Sequence, residues 1–232
     1  MHRSKRPGRA TWVTVALALG GCGDGHGAAG QHSTDAAMAA AVQVEADGCN
    51  DTTTVGAGSF VADEKVLTVA HVVAGSHQVH VVLADGRRVA AKVVAIDRKK
   101  DLAVLDVDEE EIIPLPRGSM RPRSKGTFTV YRDGKPESLR FEAIASVEID
   151  VPDIDDGESS LRRGYELRAT VEQGDSGSVL VTDGLATGVV FARSTATGGK
   201  AWAIDITEAA GLLAEADDTS ADVGVCVRGS SG

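Results

Sequence analysis

Glu172-Gln173-Gly174-Asp175-Ser176-Gly177-Ser178 is the stretch on which the reading of this chain turns. A serine with glycine two before it and one after it can bring its hydroxyl and two backbone N–H groups into one small volume. Attack on a carbonyl needs that arrangement: the oxygen must reach the carbonyl carbon while N–H groups, here those of Gly174 and Ser176, receive the developing charge. Taken alone, a Gly-Asp-Ser-Gly run is more often a turn between strands than an active site. Two other segments supply what the serine lacks. Thr68-Val69-Ala70-His71-Val72-Val73 puts a histidine at the end of an apolar run, and Asp101-Leu102-Ala103-Val104-Leu105 puts an aspartate at the start of another. A histidine can take the serine proton and return it to the leaving group if a buried carboxylate fixes its tautomer. Asp97 is the rival acid, but Arg98, Lys99 and Lys100 beside it indicate a solvated turn.

The order His71, Asp101, Ser176 is that of the chymotrypsin-type enzymes and not of the hydrolases built on a parallel sheet. TVAHVV, DLAVL and EQGDSGS, with GVVFAR following, resemble the trypsin-like serine endopeptidases, most closely the bacterial periplasmic branch of high-temperature-requirement and acid-resistance proteases. The resemblance covers about residues 41–226. It implies an all-β chain of two packed six-stranded antiparallel barrels with the active site in the cleft between them. It also implies His71 as general base, Asp101 as its orienter, Ser176 as nucleophile, and Gly174 with Ser176 as oxyanion donors. Thr170, six before the nucleophile, falls at the base of the primary specificity pocket, with Val190, Phe191 and Ala192 along a wall. No carboxylate stands there to hold a basic side chain, so cleavage after small or medium apolar residues is expected. Ser178 stands where the family usually has glycine. Asp175 corresponds to an acid that digestive relatives neutralise with a new N-terminus, and here it needs a basic side chain or backbone N–H groups instead.

At 232 residues the chain can bury one or two sizeable cores. Its formal charge is −10, and residues 1–21 contain Arg3, Lys5, Arg6 and Arg9 with no acid, so the remainder is more acidic still. Such a surface repels phosphates and anionic headgroups, and no basic cluster offsets it, so nucleic acid is excluded and membrane contact is expected through an anchor only. The basic start followed by an apolar run from Thr11 to Leu19, too short to span a bilayer, reads as an export signal over residues 1–21. Leu19-Gly20-Gly21-Cys22 resembles a lipobox, with Cys22 carrying the lipid; ordinary cleavage nearby, releasing a soluble protein, is the alternative. Residues 22–40, rich in Gly, Ala, Ser and Asp, read as a flexible tether in which His26 and His32 are solvated. His77 and His80 fall beside a strand at the surface.

From Ala41 short segments of alternating Val, Thr and Ala take over, and Asp85-Gly86, Asp133-Gly134 and Asp183-Gly184 mark hairpin turns. The protease domain is expected over 41–228: barrel one about 41–107, a Glu- and Pro-rich linker 108–124, barrel two about 125–204 and a helix 205–216. Asp205 with Glu208 has the form of a capping box, and Ile206, Ala209, Ala210 and Leu213 form a stripe expected to pack on barrel two. Nothing after this helix is long enough for a peptide-binding module. The acidic loop Asp150 to Glu158 has the wrong offsets for a calcium loop, and neither metal nor cofactor is expected. With Cys22 lipidated, Cys49 and Cys226 remain as an even pair in an oxidising compartment, where a disulfide is the default. Closing so long a loop stabilises the fold by up to about 5 kcal/mol. By resemblance to the acid-resistance proteases, its reduction is expected to lower turnover. The sequence therefore points to an exported, lipid-anchored serine endopeptidase acting on protein or peptide substrates. An idle protease fold serving as a binding module, or an esterase with the same triad, are the alternatives.

Overall fold

A computed structural model describes residues 26–48, 52–152, 159–194 and 198–224. Among the described residues, twelve strands form two closed antiparallel barrels. The first, in the order β1-β2-β3-β6-β5-β4, comprises β1 (Ala41–Asp47), β2 (Thr53–Ala62), β3 (Lys65–Thr68), β4 (Gln78–Leu83), β5 (Arg88–Asp97) and β6 (Leu102–Asp106). The second, in the order β10-β11-β12-β9-β8-β7, comprises β7 (Lys125–Arg132), β8 (Lys135–Pro152), β9 (Ser159–Arg168), β10 (Val179–Thr182), β11 (Leu185–Arg193) and β12 (Lys200–Asp205). Alternation places the side chains: in β4, Val79, Val81 and Leu83 are buried while Gln78 and His80 point outward. β6 is buried at Leu102, Ala103, Val104 and Leu105, because neighbouring elements cover both of its faces.

All three Asp-Gly pairs sit at hairpins. Asp133-Gly134 and Asp183-Gly184 have positive φ at both residues (51° and 72°; 53° and 77°), the geometry that matches the twist of the flanking strands. Between β4 and β5 the loop is longer, with Gly86 alone at positive φ and Leu83 N–H donating to Arg87 C=O. The barrels share apolar packing. The cluster built on Val42, Phe60, Leu67 and Leu105 continues into Val179, Val189 and Ile204 of barrel two, while Phe128, Tyr165 and Leu180 belong to a separate core in that barrel.

Two expectations are corrected here. The stretch 22–40 is not a tether throughout: α1 (His26–Ala40) is helical and packs against β2, β7 and β8, with Ala37 and Ala40 buried. Ala36-Ala37-Met38-Ala39-Ala40 is a run of strong helix formers, and its small side chains let the helix lie close to the sheet. The C-terminal stripe does not pack on barrel two alone. A 3-10 turn (Ile206–Ala209) meets β11 and β12, and the helix that continues it, after the one-turn α2 (Ala70–Val73) therefore α3 (Ala210–Glu215), crosses to β5 and β6 of barrel one. Asp205 caps the turn through Thr207 N–H at 2.8 Å, while Glu208 turns away to Arg163, so no reciprocal capping box forms. Beyond α3 the chain runs over barrel one, with Ala221 N–H donating to Val93 C=O (2.8 Å) and Val223 C=O accepting from Gly75 N–H (2.7 Å). Cys22, Cys49, Cys226 and the tip of the acidic loop lie outside the described residues.

Candidate active site

His71 stands on α2, directly after β3, and Asp101 opens β6. Since β3 and β6 pair as Thr68↔Ala103, the two residues emerge side by side from one end of barrel one. His71 donates twice to the same carboxylate: its Nδ1 lies 2.8 Å from Asp101 Oδ2 and its backbone N 2.9 Å from Oδ1. Asp101 is only 4% exposed and holds φ at +54°, a conformation that costs a non-glycine residue about 1 kcal/mol and persists only where the surroundings fix it. Asp97 instead accepts from Lys100 N–H at 2.9 Å and closes the turn. It is Asp101 that faces the imidazole.

Ser176 comes from barrel two, in the turn between β9 and β10, and its C=O accepts from Ala57 N–H of barrel one at 2.8 Å. Gly177 follows at φ +94°, where a β-carbon would fall 1.9 Å from Ala57 O and 2.6 Å from Thr68 Oγ1. Only glycine fits. Gly177 N–H donates to Val190 C=O and Ser178 N–H to Asp175 C=O, whereas Gly174 and Ser176 N–H donate to no protein group among the described residues. Two adjacent donors are thus left for an anionic oxygen. Ser178 is fully buried, and its hydroxyl donates to Thr129 C=O at 2.9 Å, which accounts for a side chain where glycine is usual. No hydrogen bond joins Ser176 Oγ to His71 among the described residues; such bonds are often long in unliganded sites and tighten with substrate.

The partner of Asp175 is Arg132, at the end of β7. Its guanidinium grips the fully buried carboxylate with Nη1 to Oδ1 at 2.6 Å and Nη2 to Oδ2 at 2.9 Å, and Glu172 N–H adds a third bond at 2.8 Å. The hydrogen bonds to Asp175 raise the guanidinium pKa above its ordinary value. An internal arginine therefore supplies the charge that digestive relatives draw from a new N-terminus. Behind Asp101 lies Arg162, 2% exposed; burial lowers its pKa, opposed by the charges of Asp101, Asp97, Glu208 and Asp150. Neither arginine was marked by the sequence, since both sit in ordinary strands and gain meaning only from what the fold sets opposite them.

The specificity residues divide. Thr170 is exposed, and Phe191 and Ala192 are half-buried where β11 bulges between Val190 and Ala192. Val190 has its side chain buried in the core of barrel two, and its backbone pairs with Gly177 and Ser178. Strand alternation turns it inward.

A trypsin-like peptidase domain profile matches residues 56–191. The chain belongs to the trypsin-like peptidase family. Serine protease Rv3671c of Mycobacterium tuberculosis is similar to this chain at 34% identity over 180 residues, 74% of this chain and 45% of that protein. A probable periplasmic serine endoprotease DegP-like of Hahella chejuensis is 28% identical over 183 residues, 75% of this chain and 38% of that protein. The chain spans less than half the length of these curated relatives. The crystal structure of the Rv3671c protease in its active form superposes with a TM-score of 0.77 at 27% identity, covering 93% of this chain and 100% of that one.

Proposed function

We propose that the chain is an exported, lipid-anchored serine endopeptidase of the bacterial cell envelope. The observation that carries the catalytic part is the His71–Asp101 bond at 2.8 Å beside a serine turn with two N–H groups that are unengaged among the described residues. Ser176 Oγ attacks the peptide carbonyl as its proton passes to His71 Nε2, Asp101 holds the Nδ1–H tautomer, and Gly174 and Ser176 N–H receive the oxyanion. His71 then protonates the leaving amine, and a water repeats the sequence on the acyl-enzyme. A fluorophosphonate probe tests this. Label should be found on Ser176 and vanish in Ser176→Ala; label elsewhere, or none, refutes the assignment. An ester could be hydrolysed by the same groups, but nothing in the structure favours it.

Thr170, with no carboxylate beside it in sequence, supports cleavage after small or medium apolar residues, and a library profile dominated by Arg would refute this. Envelope location is supported by the export signal and by the periplasmic name of the Hahella relative. For the Cys49–Cys226 disulfide, support comes from the flanking chain. Asp47 C=O accepts from His77 N–H and Val223 C=O from Gly75 N–H, which ties both approaches to one turn. Two alkylatable thiols in the unfolded, unreduced protein would exclude the bond.

A further inference from the structure

From Ile112 to Arg132 the sequence contains no acid, although the chain has 34 Asp and Glu against 24 Lys and Arg. Arg117, Arg121, Arg123 and Lys125 in this interval are all exposed, as is Arg140, whose strand position pairs with Thr127 beside Lys125. None of the five makes an ion pair among the described residues. Several other cations are matched, Arg87 with Glu109, Arg88 with Glu45, Lys65 with Asp106 and Lys200 with Glu166, and at the edge of the group Arg168 takes up Glu142, the ladder partner of Lys125. Exposed Lys99, Lys135 and Arg193 also lack an ion pair among the described residues but stand apart from one another in sequence. The fold brings the five together at one end of barrel two. Arg121 to Ser124 form a turn held against β8, with Arg123 N–H donating to Ala143 C=O (2.6 Å) and Ala143 N–H to Ser124 C=O (2.9 Å). Arg117 bridges Ala186 beside the Asp183-Gly184 turn. Arg123 holds φ at +72°, where glycine or asparagine would be less strained. This overturns the expectation that no basic cluster offsets the acidic surface.

The course of α1 indicates what faces this end. Tyr131 Oη donates to Ala41 C=O at 2.8 Å, so the helix finishes near the Tyr131 end of β7. Ser33 lies against Gly184, and the pairing Val181↔Thr127 puts that turn near the Lys125 end of the same strand. The helix therefore enters at the basic end, and at 1.5 Å per residue its start at His26 lies roughly 10 Å beyond Ser33. Cys22 is four positions earlier in sequence.

We propose that Arg117, Arg121, Arg123, Lys125 and Arg140 form a docking face for anionic lipid headgroups, which sets the protease body against the membrane in one orientation. The choice of a lipid surface over another polyanion rests on the lipid-anchor reading and on the helix entering at this face. The acidic remainder of the surface does not forbid docking, because its repulsion is screened beyond about 8 Å at physiological salt.

The test uses the mature chain from residue 22 with Cys22→Ser, so that no acyl chain contributes, sedimented with phosphatidylcholine vesicles with or without phosphatidylglycerol. Binding should need phosphatidylglycerol and weaken in high salt. At roughly 1 kcal/mol per basic side chain, Arg121→Gln, Arg123→Gln and Lys125→Gln together should weaken it about 100-fold. Lys135→Gln, at the far end of β7 and β8, should change little, and peptide hydrolysis by the triple variant should match the parent. Equal binding to both vesicles, or triple-variant binding equal to the parent, overturns the proposal. Patch-dependent binding of heparin or duplex DNA without vesicle binding overturns it too, in favour of a soluble polyanion. A Cys22 without lipid mass in the exported parent would refute the anchor alone, and the vesicle result would still judge the face.

Discussion

Replacing Arg132 by alanine leaves Asp175 fully buried with one backbone donor, Glu172 N–H, in place of three hydrogen bonds. Breaking a buried ion pair from one side costs about 3–5 kcal/mol. The Arg132 side chain is 31% exposed, so water can enter where it was, and about 2–3 kcal/mol is the better expectation. With a urea m-value of about 2–3 kcal/mol/M, the unfolding midpoint should fall by about 1 M. The rate should suffer separately, because Asp175 sits between Gly174 and Ser176, the two proposed oxyanion donors. Misplacing one such donor lowers kcat by about 10²–10³. Urea unfolding followed by fluorescence, with kcat on a chromogenic peptide under native conditions, reads both. Arg132→Lys should restore part of the stability but less of the rate, since an ammonium cannot make the paired contact. In Arg132→Met with Asp175→Asn, the cycle should show coupling of about 2 kcal/mol. An Arg132→Ala protein with unchanged midpoint and unchanged kcat would refute the reasoning.

Gly177→Ala should fail to fold or lose more than about 4 kcal/mol, because its β-carbon cannot avoid Ala57 O; circular dichroism of the purified variant checks this. Asp101→Asn should lower kcat by about 10⁴ through the wrong imidazole tautomer, while Asp97→Asn retains most activity; the reverse pattern would show the acid to be wrongly assigned. Burial pushes the Glu208 carboxyl up, but its bonds to Arg163 and the nearby Lys100 outweigh this and hold it below its ordinary 4.5. Its contribution is therefore present above about pH 4.5 and lost as pH falls through the lower folded value, so Glu208→Gln should flatten the loss of stability between pH 5 and 3, measured by thermal unfolding.

What could be read from sequence was whatever backbone geometry demands locally. Gly174 and Gly177 announce a turn with positive φ, and at Gly177 no side chain fits; the Asp-Gly pairs mark hairpins, and alternating Val and Thr mark strands. Asp101 could be preferred over Asp97 because an acid opening an apolar strand becomes buried, whereas one among Arg98, Lys99 and Lys100 stays wet. Arg132 had no such mark: a strand-end arginine looks the same whether it faces water or a buried carboxylate 43 positions away. The helix over His26–Ala40 was hidden by its two glycines, its serine and its threonine, since it draws its stability from the barrel that two small alanines allow it to approach. The basic end of barrel two was visible as letters but not as a surface, because Arg140 joins the others only through strand pairing.

Each barrel braces the other's proposed reacting group. Ala57 of barrel one holds the Ser176 carbonyl, while Ser160 Oγ of barrel two donates to Lys99 C=O at 2.6 Å, and Glu208, following barrel two, meets Lys100 in the turn that ends at Asp101. The two halves are consequently not interchangeable modules. A chimera that joins barrel one of this chain to barrel two of a distant relative would keep every proposed reacting side chain, yet lose the struts and the shared apolar packing that register them. Two separately produced halves would be silent apart, and turnover on mixing would count correctly docked pairs.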